Sequence, residues 1–354
     1  MADFDAMMKK LKEKVETRAD RFLELKISEA EGISPEVHEF VRRLKRHALA
    51  GKMMRELGMI LAYRAKGGND EDGVIEASTA LTMLQAYLLI HDDIMDSAET
   101  RRGNPSVWAE FRGLHQERFR SGHRRFGESV AIIAGDLFES WGVSILAGTH
   151  FPFHLRIRAI LAYEHAVQMT GYGQYLDIYT GECSTADEET VEKIHRYKTA
   201  IYTVDLPLRL GFILAGADED ELRDLWGFTL PLGIAFQMTD DIIDLYGDRK
   251  KLGKPLGGDI KEGKKTIMLL YALEHADRNE LIFLKKCIGN KNITPEDINY
   301  IRGIIKRSGG YDYAKQKANA YFEESITALG RLNVSPEGRE MLSYLANKLV
   351  DRSF

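Results

Sequence analysis

Two apolar stretches of this chain, residues 81–90 and 225–238, each run directly into a matching acid cluster. The first leads to Asp92-Asp93-Ile94-Met95-Asp96 and the second to Asp240-Asp241-Ile242-Ile243-Asp244. Apolar positions in the first stretch recur at three and four (Leu81, Leu84, Tyr87, Leu88), which predicts helix rather than strand. On a helix, Asp92 and Asp96 are four apart and share a face. Three carboxylates this close repel one another unless a cation neutralises them. Hard oxygen donors in this number suit Mg²⁺, which keeps waters and takes one or two carboxylates plus phosphate oxygens. One such pentapeptide is compatible with an acidic helix end in water. Two, each closing an apolar helix, predict a deep apolar pocket with a charged mouth.

Basic residues gather near both acid clusters. Arg101-Arg102 follow the first, and Gly253-Lys254-Pro255 and Gly263-Lys264-Lys265-Thr266 follow the second. Upstream lies Gly51-Lys52-Met53-Met54-Arg55, which predicts Lys52 and Arg55 on one helical face. Phosphate binding uses this mixture: metal between oxygens, Arg for forked contacts, Lys for point charge, Gly for close backbone approach. A further basic stretch (Arg112, Arg118, Arg120, Arg124, Arg125) reads first as a solvated surface segment, with a diphosphate or partner contact as the alternative.

The rest of the chain predicts an all-α fold. No Asn-Gly or Asp-Gly hairpin lies between alternating apolar residues. Ser34-Pro35-Glu36, Thr294-Pro295-Glu296-Asp297 and Ser335-Pro336-Glu337 each read as cap, first-turn proline and first-turn acid. Pro207 and Pro231 fall inside apolar segments and predict kinks. Loops are expected over residues 66–73, 100–127, 247–265 and 289–294. At 354 residues, 44% hydrophobic and 29% charged, the chain has the balance of a globular protein with a large core. A net charge of -5 argues against a general nucleic-acid binder. Cys183 and Cys287 have no metal-ligand spacing and suggest a reducing compartment. The start carries no apolar signal core, and the longest apolar run, 130–148, is broken by Asp136 and Glu139, so a cytoplasmic protein without a membrane span is expected.

Taken together, the motifs resemble those of the trans-isoprenyl diphosphate synthases, which include the farnesyl and geranylgeranyl diphosphate synthases. The matches are GKMMR at 51–55, Gln85, DDIMDSAETRRG at 92–103, GQYLD at 173–177, Lys198-Thr199, FQMTDDIIDLYGD at 236–248 and GKPLGGDIKEGKKT at 253–266. They occur in family order over roughly residues 48–270, far more than a lone DDxxD motif. The resemblance implies one isoprenoid-synthase domain over residues 1–354, an all-α bundle around a central apolar cavity, with residues 1–30 as an N-terminal extension. It also implies a homodimer.

The activity implied is a head-to-tail condensation of isopentenyl diphosphate with an allylic diphosphate (dimethylallyl, geranyl or farnesyl). By the same resemblance, Asp92, Asp96 and Asp240 hold Mg²⁺, about three ions in all. Asp93, Asp241 and Asp244 support them. Arg101, Lys198, Lys254 and Lys264 contact the allylic diphosphate; Lys52, Arg55, Gln85 and Arg102 hold isopentenyl diphosphate. Thr199 and Gln237 lie near the ionising carbon, and Asp177 lines the same cavity. Tyr87, five residues before Asp92 and roughly 7.5 Å down the helix, is the expected floor for the growing chain. Leu88 beside it is not aromatic, a pattern like that of archaeal geranylgeranyl diphosphate synthases, so a twenty-carbon product is expected. Farnesyl and geranylfarnesyl diphosphate are the alternative products. The chain departs from the family in lacking a His after Pro105, in a longer basic stretch, and in ending ANKLVDRSF without a basic run. A class I terpene cyclase fits less well, because cyclases usually replace the second aspartate cluster and need no isopentenyl site. A non-catalytic synthase-like subunit typically loses one cluster, and a generic metal-binding module leaves the lysines unexplained.

Overall fold

Helix-start chemistry sets many of the element boundaries. The computed structural model describes residues 2–49, 51–119, 123–183, 185–247 and 256–350. Ser34 caps α2 (Pro35–Ala48), its hydroxyl accepting from Val37 N. Thr294 and Asp297 form a reciprocal capping box on α14 (Pro295–Arg307). Ser335 Oγ accepts from Gly338 N at the start of α16 (Pro336–Val350). All three predicted cap sites begin helices.

The chain divides into two compact units, residues 1–161 with 210–216 and residues 162–209 with 217–354. The first holds α1 (Ala2–Glu31), α2, α3 (Met54–Ala65), α4 (Glu71–Met95), α5 (Val107–Arg118) and α6 (His123–Gly148). Its spine is α4, which packs on α1, α3 and α6. Val74, Ala77, Leu81 and Leu84 of α4 are fully buried, and a helix apolar on most sides is a core helix. Both α4 and α6 are long and apolar enough to span a bilayer by length and composition. The most apolar window of α4 is 72% buried and that of α6 is 44% buried, so α4 is mostly core and α6 keeps an open face.

Helix α7 (Phe153–Glu182) carries the chain onward to α8 (Glu188–Ile194). A π-helical segment, His195–Asp205, follows without a break and leads into α9 (Leu206–Leu214). The second unit is built on α10 (Glu219–Tyr246), which packs on α15 (Gly310–Leu329) and on the π segment. Its core combines Met238, Ile242 and Leu245 of α10 with Ile267, Met268 and Leu269 of α12 (Ile267–His275) and Ile301, Ile304 and Ile305 of α14. Two short helices, α11 (Gly258–Glu262) and α13 (Arg278–Cys287), complete it. Asp205 pins the end of the π segment: Thr229 Oγ1 of α10 donates to it at 2.5 Å and Arg209 Nε at 2.8 Å. Pro231 stands inside α10, and Pro207 stands just past the point where the π segment passes into α9.

The loop expected over 100–127 is wrong. It contains a two-stranded ladder, β1 (Thr100–Arg101) with β2 (Asn104–Pro105), then α5, then the first turn of α6. Arg102 and Gly103 turn the ladder at φ 53° and 78°, as a two-residue hairpin needs. With Arg in its first position, this turn escapes a search for Asn-Gly or Asp-Gly. The arginines also hide an apolar face: Val107, Trp108 and Phe111 are buried, while Arg112 and Arg124 lie over the Trp108 ring at 4.9 and 5.5 Å. Arg120 lies outside the described residues. The other loop expectations lose residues 71–73 to α4, capped by Asp70, and 258–262 to α11.

Trp108 ties α5 to the first acid cluster, its Nε1 donating to Asp93 O at 3.1 Å and Ala98 O at 2.9 Å. Trp108→Phe keeps the ring and leaves both carbonyls without that donor. It is expected to destabilise the protein by about 1–2 kcal/mol in urea unfolding; an unchanged midpoint would show that these bonds do not hold the segment.

Candidate active site

The C-terminal turn of α4 presents the first cluster. Asp93 is buried, while Asp92 and Asp96 are half-buried. The hairpin returns Arg101 onto them: Nε to Asp93 Oδ1 at 2.8 Å and Nη2 to Asp92 Oδ2 at 3.1 Å. Burial opposes the charge on Arg101, but Asp93 and Asp92 outweigh it and raise its pKa. Arg101 is therefore a fixed cation beside the cluster.

Three of the expected isopentenyl residues meet on the same unit. With its amide oxygen facing the guanidiniums, Gln85 accepts from Arg55 Nη1 at 3.2 Å and Arg102 Nη2 at 3.1 Å; the reverse orientation would set its NH₂ against two donors. Arg102 is exposed as a turn residue, yet its guanidinium packs beside Gly51, where an added Cβ would lie 3.2 Å from Nη1. Desolvation there, then repulsion from Arg101 and Arg55, lowers its pKa. Two guanidiniums thus meet at one neutral amide. Lys52 does not share a helical face with Arg55: Met53 is left-handed (φ 53°), α3 begins only at Met54, and Lys52 stands exposed before it. Behind the cluster, Arg46, His47, Asp93, Arg101, Arg102 and Asn104 line a cavity of about 160 Å³. Buried Glu110 holds its α2 wall, bonded to Arg43, Arg46 and His47.

The second cluster lies on α10. Gln237 Nε2 donates to Asp241 Oδ1 at 2.7 Å, and His195 Nε2 lies 3.0 Å from Asp241 Oδ2. Asp244 Oδ2 accepts from Asp259 N at 3.1 Å. A cavity of about 100 Å³ gathers Lys198, Thr199, Gln237, Asp241 and Lys264, all expected site residues, with Asp177. Lys198 Nζ donates to Asp177 Oδ2 at 2.5 Å, and Lys264 pairs with Glu262. Lys198 and Thr199 project from the π segment, a rare backbone form frequent at functional sites. Gly173 permits this: a Cβ there would lie 2.2 Å from Lys198 N. Lys254 lies outside the described residues.

Sequence reasoning missed His195 and Lys265. His195 precedes the Lys198-Thr199 pair but belongs to no motif. Lys265 was grouped with Lys264 as generally basic; it is buried, donates to Gly181 O and Gly263 O, and has its pKa lowered by burial. Both line the second cavity.

The two clusters divide in the same way. Asp93, Asp241 and Asp244 are buried and held by protein donors, whereas Asp92, Asp96 and Asp240 are half-buried. Among the described residues, no three carboxylate, imidazole or thiol groups converge into a ready-made metal cage. An oxygen-only donor set of this kind fits Mg²⁺, whose remaining positions go to water and substrate phosphate.

A family model described as polyprenyl synthetase matches residues 38–305. The chain belongs to the polyprenyl synthetase family. It is an enzyme, a short-chain prenyltransferase. The synthase is 31% identical to a geranylgeranyl diphosphate synthase of Sulfolobus acidocaldarius over 85% of this chain and 87% of that protein. It is equally 31% identical to a geranylfarnesyl diphosphate synthase of Aeropyrum pernix, over 85% and 90%. Among solved structures it resembles a Corynebacterium glutamicum geranylgeranyl pyrophosphate synthase complexed with isoprenyl diphosphate and magnesium. That match has a TM-score of 0.91 and 31% identity, covering 97% of this chain and 99% of that one. These likenesses agree with the all-α isoprenoid-synthase fold expected from the motifs.

Gly173→Ala tests whether the close α7–π contact matters to the prenyltransferase. The added methyl must push Lys198 away, with an expected loss of about 1–3 kcal/mol of stability and a fall in kcat. Wild-type kinetics would show that Lys198 placement is tolerant.

Proposed function

We propose that this prenyltransferase joins isopentenyl diphosphate to allylic diphosphates in an Mg²⁺-dependent reaction and stops at geranylgeranyl diphosphate. One observation carries the reading: the protein builds two separate cationic sites, Arg55–Gln85–Arg102 and Lys198–Lys264, each beside its own acid cluster. A condensation of two diphosphates needs two such sites; a cyclase needs one. The family match, residues 38–305, takes in parts of both compact units, and residues 1–354 are read as one synthase domain.

In this reading, Arg55, Gln85 and Arg102, with Lys52, hold isopentenyl diphosphate. Arg101, Lys198 and Lys264, with Lys254, receive the allylic diphosphate. Asp92, Asp96 and Asp240 would hold about three Mg²⁺ ions, while Asp93, Asp241 and Asp244 keep the clusters in place. Bound Mg²⁺ supplies positive charge to the departing diphosphate. The protein's own cations add to that stabilisation, since Arg101 and Lys198 are already oriented by carboxylates. The allylic C–O bond breaks, the isopentenyl double bond attacks the cation, and the proton lost passes to the released pyrophosphate. Gln237 Nε2 donates to Asp241, which leaves its amide oxygen, with the Thr199 hydroxyl, as the dipoles assigned to the cation.

Chain length is assigned to Tyr87. Its ring packs edge-on against His91 at 5.0 Å, which fixes it one helical turn and more before Asp92. Leu88 beside it leaves the twenty-carbon product as the first reading. A twenty-five-carbon product is the second, favoured by the equal likeness to the geranylfarnesyl synthase. The protein is proposed to be cytoplasmic, with two free cysteines, and homodimeric. The open face of α6, where Ile132 and Ile133 are 42% and 53% exposed, supports the dimer.

The deciding assay supplies Mg²⁺, labelled isopentenyl diphosphate and each allylic diphosphate in turn. A ladder ending at twenty carbons and abolished by EDTA is expected; a hydrocarbon formed without isopentenyl incorporation would instead indicate a cyclase. Asp92→Asn and Asp240→Asn are each expected to lower kcat at least about 100-fold with unchanged circular dichroism. Tyr87→Ala is expected to lengthen the product, and an unaltered distribution would remove Tyr87 as the floor.

A further inference from the structure

Directly beneath the Arg55–Gln85–Arg102 site lies a carboxyl group that the proposed mechanism does not use. Glu56 follows Arg55 on α3 and is 1% exposed. Its Oε1 accepts from Thr82 Oγ1 at 2.7 Å, and its Oε2 is buried with no hydrogen-bond partner. Thr82 and Gln85 are three apart on α4, so they share a face. The pairs Arg55–Gln85 and Glu56–Thr82 therefore stack as two layers between the same two helices, which pack on each other.

We propose that Glu56 is a positioning residue for isopentenyl diphosphate: it offers counter-charge to Arg55 and Arg102 while their site is empty and takes up a proton at Oε2 when the diphosphate docks. The proposal rests on reading that site as the isopentenyl subsite. An ionised carboxylate in so dry a place needs nearby cations, and an incoming anion consumes their field. The proton then has a defined place, because Oε2 makes no other bond.

The charged groups acting on Glu56 are Arg55, from its own helix, and Arg102, from the β1–β2 turn. From α4 it meets the hydroxyl of Thr82. The ionic contact of α3 with α4 and α1, through Arg64, Glu71 and Lys14, lies at the opposite end of α3. Burial pushes the Glu56 carboxyl above its ordinary value, and Thr82, the residue's own backbone N–H, Arg55 and Arg102 only partly oppose it. With a raised folded pKa, the acid form is favoured at low pH. As pH rises through that pKa, negative charge develops under the anion site and weakens it; the fold loses stability over the same window.

The test compares wild type with Glu56→Gln, which keeps an oxygen for Thr82 and cannot ionise. The KM for isopentenyl diphosphate is expected to climb about tenfold across the titration of Glu56 in wild type, relative to Glu56→Gln. The KM for the allylic substrate should follow one course in both. Calorimetry of isopentenyl diphosphate binding alone, in buffers of different ionisation enthalpy, should show proton uptake in wild type beyond that in the variant. Superimposable profiles and equal proton uptake would overturn the proposal. Should Glu56→Gln fail to fold, Thr82→Val serves instead. It removes a bond that favours the ionised form, so the KM rise must move to higher pH; an unmoved profile overturns the proposal. Arg102→Ala separates the two layers of inference. If it leaves the isopentenyl KM unchanged, the subsite reading itself fails; if it raises that KM while Glu56→Gln tracks wild type, only the role of Glu56 fails.

Discussion

Both acid clusters sit at or near helix C-termini, where the helix's own partial negative charge opposes them. Asp92 and Asp93 close α4, and Asp240, Asp241 and Asp244 lie in the last two turns of α10. Carboxylates in these places are unfavourable unless something positive or donating meets them. Much of the local architecture answers that demand. The β1–β2 hairpin folds Arg101 back onto Asp92 and Asp93. Trp108 donates to the Asp93 carbonyl, and the backbone N–H of Asp259 meets Asp244.

Asp93, Asp241 and Asp244 are buried among protein donors, while Asp92, Asp96 and Asp240 keep more exposure. Half-buried carboxylates near cationic side chains are the groups that a metal–diphosphate pair uses. The π segment contributes by reshaping backbone rather than adding charge. It sets Lys198 and Thr199 in the cavity that also holds Gln237, and Gly173 allows α7 to approach them.

The same logic gives Glu56 a place. At the first cationic site, Arg55 and Arg102 both donate to Gln85. One helix position deeper lies the buried carboxyl of Glu56, proposed as their counter-charge. Glu110 elsewhere in this unit holds Arg43, Arg46 and His47, and these partners outweigh burial's opposition to its charge.

Much of this was legible in the sequence. The acid clusters, the proline-marked helix starts, the all-α class and the family could be read from local spacing, because caps, helical faces and short motifs are local physics. Lys52 was misplaced since the left-handed Met53 leaves no trace in residue type. The hairpin and α5 were missed because arginines that stack on Trp108 look like solvated charge until the ring is in place. The sequence by itself determined which groups could bind metal and phosphate. Only the tertiary structure decided which of them are already committed: His195 to Asp241, Lys265 to backbone carbonyls, Glu56 to the layer under Arg55. Those pairings join residues far apart in the chain or on separate helices, and burial sets their energies, which no local pattern encodes.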